Sequence, residues 1–365
     1  MKFTASREQI LGPLQSVIGV VERRQTMPVL SNVMLAARNN RLSLTGTDLE
    51  VELVAASEIL VAQAGDITVP GRKFLDIMRA LPEGVSVTVA TESERLSVKA
   101  GRSRFTLSTL PAGEFPVVEE VSAQHTVKVS QAVFRRLIDK SHFSMAQQDV
   151  RYYLNGMLLE SDGKMLRTVA TDGHRLALSE TELDVIAKAK HQVIIPRKGV
   201  LELQRILGEE GEVELAIGTN HVRCEIGDIR FTSKLIDGRF PEYGRVIPSN
   251  PTKIVDADRE SLRAALQRTA ILSNEKYRGV RLNAKPNLLT LQAHNPEQEE
   301  AEDSVEVNYG GEEVEIGFNV TYLLDALSAI DGDRVQIGLT DENSSCLITV
   351  PGKQDCKYVV MPMRL

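Results

Sequence analysis

RLSLTGTDLEVEL (41–53), MLRTVATDGHRLAL (165–178) and LLTLQAHNPEQEEAE (288–302) decide the fold, because they are one segment met three times. Leu42, Leu166 and Leu289 hold the same place, and Asp48, Asp172 and Asn295 follow at the same offset. The copies are spaced 124 and 123 residues apart, too far for a solenoid repeat, so each copy reads as a domain.

The flanks keep this register. ITVPGRKFLDIMRAL (67–81), VIIPRKGVLELQRIL (193–207) and EIGFNVTYLLDALSAI (315–330) each read as a strand entering a helix. RFTLSTLPAGEFP (104–116), RFTSKLIDGRFP (230–241) and KYVVMPMRL (357–365) form a further matching set. An amphipathic helix opens each copy: 6–21, 130–143 and 258–272, with Ser6, Ser130 and Asp258 as N-caps and Gln9 completing a capping box. Alternating segments and turn signals fill the rest. The fold class is α+β: three tandem similar domains, each with two helices and antiparallel sheets. Polar stretches at 119–126 and 247–254 place the boundaries at 1–121, 122–252 and 253–365.

Composition narrows the function. The start, MKFTASREQILGPLQ, lacks the apolar run of a secretion signal, and no segment has membrane-span length, so a cytoplasmic protein is expected. Cys224, Cys346 and Cys356 lack C-x-x-C spacing and read as small buried hydrophobes. The formal net charge of −7 is unevenly spread: the six helical segments together carry +8 and the remainder −15. Five of the six are basic, which points to one shared surface for an anionic partner such as phosphate, contacted without base readout.

TVATDGHRLAL packs Thr171, Asp172, His174 and Arg175 together, as a hydrolase or transferase would require. The equivalents of His174 in the other copies are Glu50 and Glu297, which share no chemistry with it. P-loop, G-x-G-x-x-G, H-E-x-x-H and G-x-S-x-G motifs are all absent, and the other histidines stand singly. A polar rim on an apolar docking surface, with Leu176, Leu178 and the methionines of VVMPMRL, fits better. No cofactor or metal is expected. The basic GRSRFTLS (101–108) and acidic HNPEQEEAEDSVEV (294–307) lie in different copies, and complementary ends on a tandem array favour head-to-tail closure. A scaffold binding only proteins is the other rival.

LSLTGTDLE, GRSRFTLSTLP, QDVRYYLNGM, TVATDGHRLA, RFTSKLIDGRFP, AILSNEK, HNPEQEEAE and YVVMPMRL together resemble the bacterial sliding-clamp family, the β subunits of DNA polymerase III, along essentially the whole chain. The resemblance implies a non-catalytic processivity factor: a head-to-tail dimeric ring around duplex DNA, helices inside and sheets outside. It implies DNA contacts from Arg24, Arg72, Gln148, Arg197 and Lys198. The dimer contact would join Lys73, Ile77, Arg102, Arg104, Phe105 and Leu107 to Ile271, Leu272, Glu297, Glu300 and Asp303 of a second copy. A peptide cleft would comprise Leu154, Thr171, Gly173, His174, Arg175, Leu176, Pro241, Arg245, Val246, Tyr322, Ser345, Val359, Val360, Met361, Pro362, Met363 and Arg364. Its partners would be the replicative polymerase α subunit, other DNA polymerases, the clamp loader and repair proteins, through short linear motifs. Gly244 departs from the bulkier residue common in relatives, helix 318–330 lacks basic residues, and segment 181–191 is assigned no role.

Overall fold

The computed structural model describes every residue except 23–26, 119, 185–188 and 365, so Arg24 lies outside the described residues. Among the described residues six α-helices stand at the repeat positions: α1 (Arg7–Val17), α2 (Gly71–Ala80), α3 (Gln131–Asp139), α4 (Arg197–Ile206), α5 (Arg259–Thr269) and α6 (Val320–Ala329). The capping box forms, with Ser6 Oγ accepting from the Gln9 amide at 3.2 Å and Gln9 accepting from the Ser6 amide at 2.8 Å. Ser130 and Asp258 accept from the amides of Val133 and Ser261 at 3.2 and 2.8 Å. The opening helices are shorter than the periodicity predicts. Each is followed by a 3₁₀ turn, at Ile18–Val20, His142–Ser144 and Ala270–Leu272, where the tighter winding closes carbonyls that the helix end leaves open.

Compact unit one comprises Met1–Arg135 with Lys198–Leu235. It holds a five-stranded sheet from Leu60–Gln63 to Ser103–Ser108, which ends on that last strand. It also holds an eight-stranded sheet in which Ile229–Lys234, from the second copy, pairs antiparallel with Val51–Glu58, from the first. Phe231 there stands opposite Leu53.

Compact unit two comprises Arg136–Arg197 with Ile236–Leu365. It contains a twelve-stranded sheet in which Arg175–Glu182, from the second copy, pairs antiparallel with Cys356–Val360, from the third. Tyr358 stands opposite Ala177. The second copy thus shares one sheet with each neighbour. Compactness follows these shared backbone ladders, which is why the chain divides inside the second copy and not between copies.

The cores are aliphatic with a few aromatics, among them Phe3, Phe74, Phe231, Phe318 and Tyr358. All three cysteines are buried and free. Gly46, where the first copy's sheet meets α1, is required by close approach: a Cβ would lie 2.8 Å from the Val17 carbonyl oxygen. Among the described residues no helix is long and apolar enough to cross a membrane.

Phe231 is fully buried at the strand that joins the first two copies. Phe231→Ala is expected to cost unit one about 3–5 kcal/mol, read as a lowered first thermal transition if unit one unfolds first and otherwise as faster amide exchange in Val51–Glu58 and Ile229–Lys234. No change in either would mean that this joint does not limit the unit's stability.

Candidate functional site

The run TDGHR is a turn before it is anything else. Asp172 Oδ1 accepts from the amides of His174 at 2.9 Å and Arg175 at 3.1 Å. Thr171 Oγ1 donates to the Arg175 carbonyl at 2.6 Å and accepts from the Gly173 amide at 3.1 Å. Gly173 takes φ +90, and a Cβ there would meet the Arg151 guanidinium at 2.9 Å. The first copy builds the same turn. Asp48 Oδ1 accepts from Glu50 and Val51 at 2.9 and 2.7 Å, Thr47 Oγ1 donates to the Val51 carbonyl at 2.9 Å, and Leu49 has φ +77. In the third copy Asn295 Oδ1 accepts from the Glu299 amide at 3.0 Å. The repeated Asp/Asp/Asn therefore marks a side-chain-capped hairpin turn, and Asp172 is committed to backbone.

Arg175 is committed as well. Its guanidinium donates to Asp172 at 3.1 Å, to Asp325 of α6 at 2.5 Å and to the Phe143 carbonyl at 2.8 Å. It also lies 4.5 Å from the Tyr322 ring centroid. The sequence reading makes Arg175 a polar rim group. Its side chain is only 13% exposed, because four residues, Asp172, Asp325, Phe143 and Tyr322, draw it under the rim. Burial raises the Tyr322 hydroxyl pKa, the Asp172 charge adds to the rise, and the phenol stays protonated.

The rest of the proposed cleft sorts by depth. Leu154, Leu176, Val359 and Val360 are buried. Leu176 pairs with Val359 across the joining strands, and both belong to an apolar cluster on which Tyr153, Tyr243 and Val246 pack. Val246, Tyr322, Ser345, Pro362 and Met363 are half-buried, whereas His174, Pro241, Arg245, Met361 and Arg364 are exposed. The chain's last segment is stitched along this surface: the Met361 amide donates to the His174 carbonyl at 2.9 Å and the Met363 amide to the Gly317 carbonyl at 2.8 Å. The outcome is an apolar floor with a sparse polar rim, suited to binding an extended chain. No group of His, Cys, Asp or Glu among the described residues could hold a metal.

Sequence reasoning missed Arg151 and Phe143. Arg151 donates to Asp149 at 2.9 Å and to the Asp172 carbonyl at 3.2 Å. Its hydrogen bonds are the main reason the Asp149 carboxyl falls to about 2. Only the copy-two turn carries a glycine that admits Arg151 so closely, a signal visible in the sequence once the turn is known.

The phosphate candidates lie in both units. Arg72 is exposed at the start of α2 and donates to the Val21 carbonyl at 3.2 Å. Gln148 is exposed with φ +56. Arg197 and Lys198 open α4 and are half-buried. Lys198 is paired with Glu22 at 2.6 Å and with Asp48. Burial alone would lower its ammonium pKa, but these two carboxylates outweigh burial and raise it.

The interface candidates sit at two places. Lys73 and Arg102 are exposed, Ile77 and Phe105 half-buried, and Arg104 is exposed beside Glu92 at 3.5 Å. Leu107 is already buried in its own unit, so Phe105 offers the reachable apolar surface of that strand. In unit two Ile271 is 75% exposed, Leu272 is half-buried, and Glu297 and Glu300 are exposed. Asp303 is half-buried and binds Arg268 at 2.6 Å, which holds its carboxyl below the ordinary value.

Arg175→Ala removes every clamp between the turn and α6 at once. It is expected to destabilise unit two by about 2 kcal/mol, less than the full cost of orphaning a buried charge because Asp325 is partly exposed. Amide exchange in α6 should quicken; exchange at the parental rate would show that Arg175 does not hold the turn to the helix.

Three family models match the chain: the N-terminal, central and C-terminal domains of the DNA polymerase III beta subunit, over residues 1–119, 128–242 and 244–364. The chain is 56% identical to a beta sliding clamp of Pseudomonas aeruginosa and 52% identical to that of Escherichia coli strain K12, each over 100% of both chains. Solved structures agree. A Pseudomonas aeruginosa sliding clamp bound to griselimycin superposes with a TM-score of 0.97 at 56% identity over 100% of both chains. A Caulobacter crescentus clamp superposes with a TM-score of 0.94 at 40% identity, again over 100% of both.

Proposed function

The chain belongs to the DNA polymerase III beta-subunit family, and from that membership we propose a homodimeric ring that encircles duplex DNA and tethers its partners through the cleft. It is a processivity factor and not an enzyme. The turn chemistry agrees, since Asp172 and Arg175 are spent on structure.

One observation carries the ring: the pattern of joined and unjoined strand edges. Ile229–Lys234 of copy two pairs with Val51–Glu58 of copy one, and Cys356–Val360 of copy three pairs with Arg175–Glu182 of copy two. The equivalents still unjoined are Ser103–Ser108, which ends its sheet, and Glu300–Asn308, whose outer edge meets the strand Lys253–Asp258 only at Val307 and Asn308. The same joint made between two chains closes a ring. Register follows from the hairpins, where Gly46 faces Leu53, Ala170 faces Ala177 and Ala293 faces Ala301. Phe231 faces Leu53 and Tyr358 faces Ala177 at the internal joints. Phe105 of one chain therefore faces Ala301 of the next, and Arg104 faces Glu302. Opposite charges on facing positions favour this register. Exposed Ile271 supplies apolar area beside it.

The domains are 1–121, 122–252 and 253–365, with helices inward and sheets outward. Arg24, Arg72, Gln148, Arg197 and Lys198 approach phosphate, while the acidic remainder of the chain limits collapse onto DNA. Contacts of this kind carry no sequence information and permit sliding. The partners are the replicative polymerase α subunit, other DNA polymerases, the clamp loader and repair proteins, in the cytoplasm. The same cleft takes griselimycin.

Two measurements test this. Protein loaded on nicked circular DNA should be lost when the circle is linearised; retention unaffected by linearisation overturns encirclement. Arg104→Glu should weaken the dimer about tenfold at low concentration, and adding Glu302→Arg should restore it. If the double variant dissociates no less than the single, the register is wrong.

A further inference from the structure

The deepest charge near the cleft belongs to no residue assigned above. Glu160, in the strand Gly156–Asp162, is fully buried. Around its carboxylate stand Arg167 at 3.0 Å, Lys190 at 3.0 Å, Gln192 at 2.5 Å and the Tyr243 hydroxyl, which donates at 2.7 Å. Arg167 is itself held by Glu180 at 2.6 Å. A buried carboxylate is costly unless saturated with donors, and this one is saturated. Burial would raise its pKa, yet the donors, Tyr243 first, outweigh burial and keep it low.

Tyr243 is the donor that matters for function. The other three come from the flanking strands or the residue just before one of them, whereas Tyr243 opens the 3₁₀ turn Tyr243–Arg245. The Val246 amide donates back to the Tyr243 carbonyl at 3.0 Å. This turn carries Arg245 and Val246 of the cleft rim. Among the described residues little else polar fixes it: Arg245 pairs with Glu242 of the same loop, both being well exposed, and a Cβ on Gly244 would meet nothing within 4 Å. Its other hold is the packing of Tyr243, Val246 and Ile247 on the apolar floor.

We infer that Glu160 and Tyr243 are positioning residues of the peptide cleft: the buried carboxylate tethers the tyrosine and so holds the Arg245–Val246 rim in its binding position. The inference rests on the cleft reading above. Without the tether, an arriving ligand must order the rim at its own cost, and the bound ligand is closed in less firmly. The loss falls on dissociation more than association.

Tyr243→Phe keeps the ring in the apolar floor and removes only the hydroxyl. The probes are griselimycin and the purified replicative polymerase α subunit, each binding to immobilised full-length protein. Dissociation of both should quicken on the order of fivefold to tenfold, with association little changed, and amides 242–247 should exchange faster. Glu160→Gln should act in the same direction, and the double variant should lose no more than the worse single, since one tether cannot be broken twice. If Glu160→Gln fails to fold, Tyr243→Phe decides alone. A parent protein that binds neither probe overturns the cleft reading and this inference with it. A parent that binds, with a Tyr243→Phe variant that dissociates and exchanges at parental rates, overturns this inference only. Additive losses in the double variant also overturn it.

Discussion

A strand edge is a row of backbone donors and acceptors that water, another strand or a covering element must satisfy. Three copies of one α+β unit in series create such edges repeatedly, and this chain resolves them by joining copies edge to edge. Two joints are internal and leave one edge of each kind. Nearly everything distinctive here follows from those ladders: the second copy divided between two compact units, Phe231 and Tyr358 as buried keystones of the joints, and a first-copy strand whose aromatic, Phe105, remains half-buried on an unjoined edge.

The turns at the joints obey the same logic. In copies one and two the hairpin turn beside the joint is capped by an aspartate and by a threonine that returns a hydrogen bond. The strand arriving from the next copy then docks against its backbone: the Lys234 amide donates to the Glu50 carbonyl at 2.8 Å, as the Met361 amide does to the His174 carbonyl. A frame of main-chain bonds shared by the two copies needs few side chains to specify it. The remaining positions are free to acquire separate uses.

This explains what was legible in the sequence. The repeat, the helix positions, the N-caps and the buried cysteines are local or periodic features, and each residue there reports its own environment. The run TDGHR was legible as a special place but not as a turn, because the partners of its carboxylate are backbone amides that leave no mark in composition. Arg175 could be read only as a charged residue. That its guanidinium lies between Asp172, Asp325 and two aromatic rings depends on α6, about 150 residues away. Lys198 likewise reads as a free cation, whereas the fold brings Asp48 and Glu22 to it. Glu160 was invisible: it stands in GMLLESD at the polar end of an apolar run and looks solvent-facing until Tyr243 and Lys190 close over it.

The two internal joints share a frame and differ in what their side chains do. At the first, Asp48 turns its second oxygen to Lys198, and the strand ending at Lys234 continues into the chain, with the Ile236 amide bonded to the Ile194 carbonyl. At the second, glycine replaces Leu49, Arg151 approaches, Arg175 is drawn under the rim, and the arriving strand runs on as Met361–Arg364 with partly exposed side chains. The apolar floor beneath is buried, and Tyr153, Tyr243 and Val246, packed on it, stay partly exposed. The two turns differ in side chains: the first carries Leu49, 39% exposed, where the second carries Gly173 with the Arg151 guanidinium against it. The residues of this run that look catalytic are held by the repeated turn, and the proposed docking surface is a variation of side chains upon it.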